Sequence, residues 1–137
     1  VFREVGFRVR FLPELRTIEL AFFGGMTLEG LALAIGETER MAQLHEAQYL
    51  MHDQRRLLTP PVASLPWLKT EVLPKFATYG IEDHLILLPE DLVTSKSIQQ
   101  SLQGMRASGF NYRIFSSYPQ LELWLQERNG LVQDPMA

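Results

Sequence analysis

Tyr49-Leu-Met-His-Asp53 and His84-Leu-Ile-Leu-Leu88, two short apolar strands on either side of a helical segment that ends at Gly80, decide how this chain folds. Strands joined by a tight turn run antiparallel, whereas a connection of a dozen or more residues permits parallel pairing. The order therefore reads as a βαβ unit. Both strands are apolar at consecutive rather than alternating positions, which implies that both faces of the sheet are covered there. A partner subunit, an apolar ligand or the first hairpin would each supply that cover.

Upstream, Gly6 to Phe11 alternates, with Phe7, Val9 and Phe11 on one side and Arg8 and Arg10 on the other. Thr17 to Phe23 does the same, with Ile18, Leu20 and Phe22 opposite Thr17, Glu19 and Ala21. Period-two alternation marks half-exposed strands, and Leu12-Pro-Glu-Leu-Arg16 between them predicts an antiparallel hairpin. Thr27 is a good N-cap for a helix whose inward face is Leu28, Leu31, Ile35, Ala42 and Leu44, with Met41 beside them.

Downstream of Asp53, residues 54–63 read as an irregular loop, of a length that often carries function. Ser64 caps the next helix, with Leu65, Leu68, Val72 and Phe76 along one face. Pro74 lies inside it, removes the bond to the Thr70 carbonyl, and predicts a kink or split. After the next strand, Thr94 or Ser95 caps a helix using Ile98, Leu102 and Met105. Asn111 to Phe115 is a fifth strand, and Tyr118 to Arg128 a final helix with Leu121, Trp124 and Leu125 inward. Residues 131–137 read as a disordered tail.

The chain is thus expected to be one α/β domain over residues 1–130: an N-terminal antiparallel hairpin, then consecutive right-handed βα units, giving a five-stranded mixed sheet with four main helices. If the strand order never reverses, every helix packs on one face.

A chain of 137 residues with 46% hydrophobic content buries enough surface to fold without a staple, and it has no cysteine, which removes thiolate chemistry and suits a cytoplasmic setting. Net charge is −3 with the signs interspersed, so no basic stripe of the nucleic-acid-binding kind is present. The longest apolar runs are too short for a membrane span, and the first residues lack the pattern of a signal peptide.

The element order, Asp53 with Arg55 close behind, Trp67-Leu68, Leu73-Pro-Lys-Phe76, Gly80, Leu88-Pro-Glu-Asp91, Ser97-Ile98, Ser108-Gly-Phe110 and Leu123-Trp-Leu125 together resemble the SpoIIAA-like fold of STAS domains. Small stand-alone bacterial STAS/SEC14-like proteins are the nearer likeness, over roughly Phe7 to Glu127. The resemblance implies a non-enzymatic, regulatory protein-interaction module, with a protein partner or a homodimer as its working form. Its SEC14-like side implies the alternative of a small apolar or lipid-like ligand. In regulatory STAS domains a Ser or Thr at the start of the helix after strand three accepts a phosphate that breaks a partner interface. Ser64 stands at that helix start, in Thr59-Pro-Pro-Val-Ala-Ser64, but Ala63, Leu65 and Pro66 replace the acidic, small and glycine neighbours, which argues against a kinase-controlled switch.

Two groups of candidate residues follow. The first is the interaction or phosphorylation loop, Asp53, Arg55, Arg56, Thr59 and Ser64. Arg55 and Arg56 suit an anionic group, and equally a solvated rim neutralised by nearby acids. The second is the rim at the carboxyl ends of the strands, Glu90, Asp91, Ser116 and Ser117, where open α/β sheets place their sites and where loops are also simply wet. His52 and Asp53 are strand neighbours on opposite faces, so they form no direct acid–base pair. A hydrolase, the third reading, needs a nucleophile beside a base, and Ser64 and His52 come from different loops. His45 and His84 stand isolated, without zinc spacing, and no catalytic residue, metal or cofactor is assigned.

Overall fold

The computed structural model describes residues 6–59, 65–81, 83–106 and 111–131. Ser64, Gly109, Phe110 and the tail after residue 131 lie outside them. Strands β1 (Gly6–Leu12) and β2 (Thr17–Gly25) form the expected hairpin, in register from Gly6 opposite Phe23 to Leu12 opposite Thr17. A single 3-10 turn at Pro13–Leu15 joins them, and Arg16 closes it at φ 50°, a left-handed conformation uncommon for a residue with a side chain. The Arg16 carbonyl accepts the N–H groups of Gln48 and Tyr49, which ties the turn to the start of β3 (Tyr49–Thr59).

β3 runs parallel to β2 and to β4 (Asp83–Leu87), and β4 runs parallel to β5 (Tyr112–Phe115), in the spatial order β1-β2-β3-β4-β5. This is the mixed, consecutively wound sheet read from the sequence. β3 is longer than expected, because residues 54–59, taken for a loop, continue the ladder with β2 alone after β4 stops opposite Asp53. Gln54 and Arg55 together oppose Phe22, and Leu58 is an extra residue before Thr59, so two bulges break the alternation by which a strand is recognised.

Helix α1 (Leu28–Leu44) starts at Thr27, whose Oγ1 accepts the Gly30 N–H at 3.0 Å. Its buried stripe is Leu31, Ala34, Ile35, Thr38 and Ala42; Leu28 and Leu44, assigned inward by spacing, are 55% and 63% exposed in the terminal turns. Thr27→Ala is expected to cost about 1 kcal/mol through the lost cap. A shifted denaturant midpoint at unchanged slope is the readout.

The segment before Gly80 is one helical run in three parts: α2 (Leu65–Trp67), a π-helical stretch at Leu68–Val72, and α3 (Leu73–Thr78). The Leu73 N–H reaches back five residues to the Leu68 carbonyl. Pro74 has no N–H to give and its ring crowds the preceding turn, and the backbone widens immediately before it, which splits the run. Val72 and Phe76 anchor the run on the sheet, and Gly80 ends it at φ 95°.

Helix α4 (Leu92–Arg106) buries Ile98, Leu102 and Met105 as expected, but begins earlier than the Thr94 or Ser95 cap assigned to it. Asp91 is the residue that receives the Thr94 N–H, at 2.8 Å.

The expectation that every helix packs on one face is corrected by helix α5 (Tyr118–Arg128). One core joins α1, α3 and α4 to Ile18, Leu20, Leu50 and Ile86; a second, on the opposite face, joins Leu121 and Leu125 of α5 to Tyr49, Met51, Leu85 and Leu87. Among the described residues no further strand follows α5, so crossover handedness does not constrain its side. Asn129 then fixes it: Nδ2 donates to the Leu15 carbonyl at 3.0 Å and Oδ1 accepts from Arg16 Nε at 2.8 Å. The chain thus covers the second face of β3 and β4 with its own final helix.

Candidate functional site

On that second face, β1, β2 and β3 carry a polar network beside α5. The hairpin register sets Arg10 opposite Glu19 and Arg8 opposite Ala21. Glu19 is 1% exposed, and each of its carboxylate oxygens takes one arginine: Arg8 Nη2 to Oε1 at 2.7 Å, Arg10 Nη2 to Oε2 at 2.8 Å. The hydrogen bond to Glu19 raises the pKa of Arg10 further. The alternation that read Glu19 as outward was correct about the face and wrong about exposure, because arginine stems cover what the helix does not.

One strand over, Asp53 faces the same way, opposite Ala21. It is buried and accepts a fork from Arg55, Nε to Oδ1 at 3.0 Å and Nη2 to Oδ2 at 2.9 Å, as well as the Arg55 N–H. The first β3 bulge brings Arg56 opposite Phe23, so Asp53, Arg55 and Arg56 do not simply alternate between faces. Arg56 and Arg8 both lie over the Phe23 ring, with guanidinium carbons 4.9 and 5.9 Å from its centroid. Arg55 lies 5.3 Å over the Tyr118 ring. Burial, with Glu19 and Glu122 adding to it, raises the Tyr118 pKa, so the phenol is neutral at physiological pH.

The structure thus brings Asp53, Arg55 and Arg56 together, and adds Glu19, Arg8, Arg10 and Tyr118, which the sequence reading left out. The signal was present: two arginines at alternate positions of one strand, across a hairpin from a lone glutamate. Thr59 is the last residue of β3, far along the bulged extension.

The strand-end rim is mostly committed to helix starts. The Thr94 hydroxyl and N–H both donate to Asp91 Oδ2, which holds the Asp91 pKa low, the hydroxyl contributing most. Ser117 Oγ accepts the Gln120 N–H at 3.4 Å, and the Ser116 hydroxyl donates to Gln120 Oε1 at 3.2 Å. Glu90 is exposed. α4 and α5 leave for opposite faces, with Asp91 at the start of the first and Ser116 and Ser117 at the start of the second.

His52 and Asp53 do point to opposite faces, as the strand geometry required. His52 Nε2 lies 3.0 Å from His84 Nδ1, and Phe76 meets the His84 ring edge-on at 6.4 Å. Parallel pairing puts His84 opposite Leu50, two residues before His52 on the same face. His84, read as isolated, is therefore half of a pair. Burial pushes the pKa of His52 down to about 4, and burial with His52 beside it pushes that of His84 well below its ordinary value.

No protein-family model and no curated protein matches the sequence. Among solved structures, the chain is similar to that of the anti-sigma factor antagonist SpoIIAA in its unphosphorylated form, with a TM-score of 0.64 and 13% identity over 93% of this chain and 100% of that one. Hairpin, parallel strands and helices thus make up the SpoIIAA-like, STAS fold that the sequence resembled.

Proposed function

We propose that this chain is a non-enzymatic protein-interaction module of the regulatory kind. The likeness to SpoIIAA carries the reading: it spans that whole chain and nearly all of this one, and SpoIIAA is named as an antagonist of an anti-sigma factor, a protein that acts by binding proteins. The surface supports it. Leu58 on the β3 extension and Leu92 and Val93 at the start of α4 are large, exposed apolar side chains at the carboxyl edge of the sheet. The histidine best placed for general-base work, His52, is spent on His84 and faces away from Asp53. The carrier of an apolar or lipid-like ligand is the weaker reading; Val72 and Phe76 of the second helical run are buried in the core it shares with the sheet.

Recovery of the tagged chain from its own cell, followed by reconstitution, tests this. A protein that co-purifies and re-forms a defined complex with the purified chain in sedimentation is the expected result. A chain that retains no protein and sediments as a strict monomer overturns it.

A further inference from the structure

Resting on the interaction-module reading, we infer that the part of the second face on β1–β3, beside α5, is a docking surface for an acidic, extended segment of a protein partner, whose carboxylates meet outward donors of Arg8, Arg10 and Arg55. A guanidinium has five N–H donors in a fixed fork. Glu19 takes one hydrogen bond from each of Arg8 and Arg10, and Asp53 takes a two-donor fork from Arg55. The three side chains remain 51%, 48% and 45% exposed. One edge of each cation is thus clamped to a buried carboxylate, with Arg10 and Arg55 also against Tyr118 and Arg8 over Phe23, while about half of each side chain stays exposed.

Clamping matters because flexible arginines lose conformational freedom on binding, whereas side chains already held by Glu19 and Asp53, with Arg55 against the Tyr118 ring, have little left to lose. Three strands at about 4.8 Å spacing spread the donors over roughly 10 Å. That span exceeds a single oxyanion and suits carboxylates spaced along an extended chain. A second copy is a poor occupant: in a two-fold arrangement the face meets itself and sets arginine against arginine. Charge elsewhere agrees, since α1, on the other side of the sheet, carries Glu29, Glu37 and Glu39 against Arg40 alone.

The probe is a synthetic oligoglutamate peptide, with an oligoglutamine peptide and inorganic phosphate as comparisons, followed by amide and arginine side-chain NMR. Oligoglutamate is expected to shift Arg8, Arg10, Arg55 and Tyr118 and to lose about tenfold in affinity at high salt. The variant Arg8→Gln, Arg10→Gln, Glu19→Gln removes the guanidinium charges together with the buried charge they neutralise, so it keeps its fold, and Arg55→Gln with Asp53→Asn is a second variant built the same way on β3. Each should bind oligoglutamate several-fold more weakly. Unchanged binding by both variants, shifts on another surface, or phosphate alone saturating the same shifts overturns the docking face. A natural partner that still binds both variants leaves the interaction reading standing and removes only this surface.

Discussion

Arg8→Ala with Arg10→Ala is expected to destabilise the fold by about 3–5 kcal/mol, the cost of leaving a buried carboxylate without its partners. Glu19 is 1% exposed on β2, a strand inside the sheet, and its carboxylate meets two guanidiniums instead of water. Either single variant should cost much less, because the other guanidinium still neutralises the charge. That makes the pair strongly non-additive, and a double-mutant cycle measures the excess. Adding Glu19→Gln to the double variant should recover most of the loss, since a neutral amide of the same shape carries no uncompensated charge. Chemical denaturation of the wild type and the four variants checks this. Additive small effects, or no recovery from Glu19→Gln, would mean that Glu19 is hydrated in solution.

That network separates what the sequence disclosed from what it did not. The alternation of Phe7, Val9 and Phe11 with Arg8 and Arg10 fixed the hairpin and its faces, and the apolar runs at Tyr49–Asp53 and His84–Leu88 fixed the parallel pairing. These are local patterns, and a period is legible without knowing what lies across the sheet. Burial of Glu19 is not local. It depends on α5 lying on the second face, which Asn129 determines through contacts with Leu15 and Arg16, more than a hundred residues earlier. The β3 extension failed for the opposite reason: the bulges at Gln54–Arg55 and Leu58 erase the period where the strand continues. Of the candidate residues, Asp53, Arg55 and Arg56 lie in one polar network because chain proximity and one bulge suffice to gather them. Asp91, Ser116 and Ser117 were chosen by position at strand ends, and the same position makes them helix-start residues.

Acid should weaken this protein before its carboxylates are appreciably protonated, and the His52–His84 pair is the reason. In the unfolded chain both rings titrate near 6.5. Folding depresses His52 to about 4 and moves His84 in the same direction, so between these limits the unfolded state binds more protons than the folded one. The stabilisation is therefore complete above about pH 6.5 and is lost as pH falls toward the folded pKa. For one histidine the loss is about 1.4 kcal/mol by pH 5.5, and for His52 about 2.5 kcal/mol by pH 4.5. The geometry gives the same sign: at 3.0 Å one neutral ring donates its N–H to the bare nitrogen of the other, and protonating the acceptor sets two donors face to face beneath Phe76. Replacing one ring by Leu should cost about 1–3 kcal/mol at pH 7.5, because the buried hydrogen bond between the rings is lost. Replacing both should cost less than the sum, and it should flatten the fall in stability between pH 6.5 and 5, where most carboxylates are still ionised. Denaturant titrations of the two proteins across that range provide the comparison. An equal slope in the double variant would place the acid sensitivity elsewhere and leave the imidazole pair as packing alone.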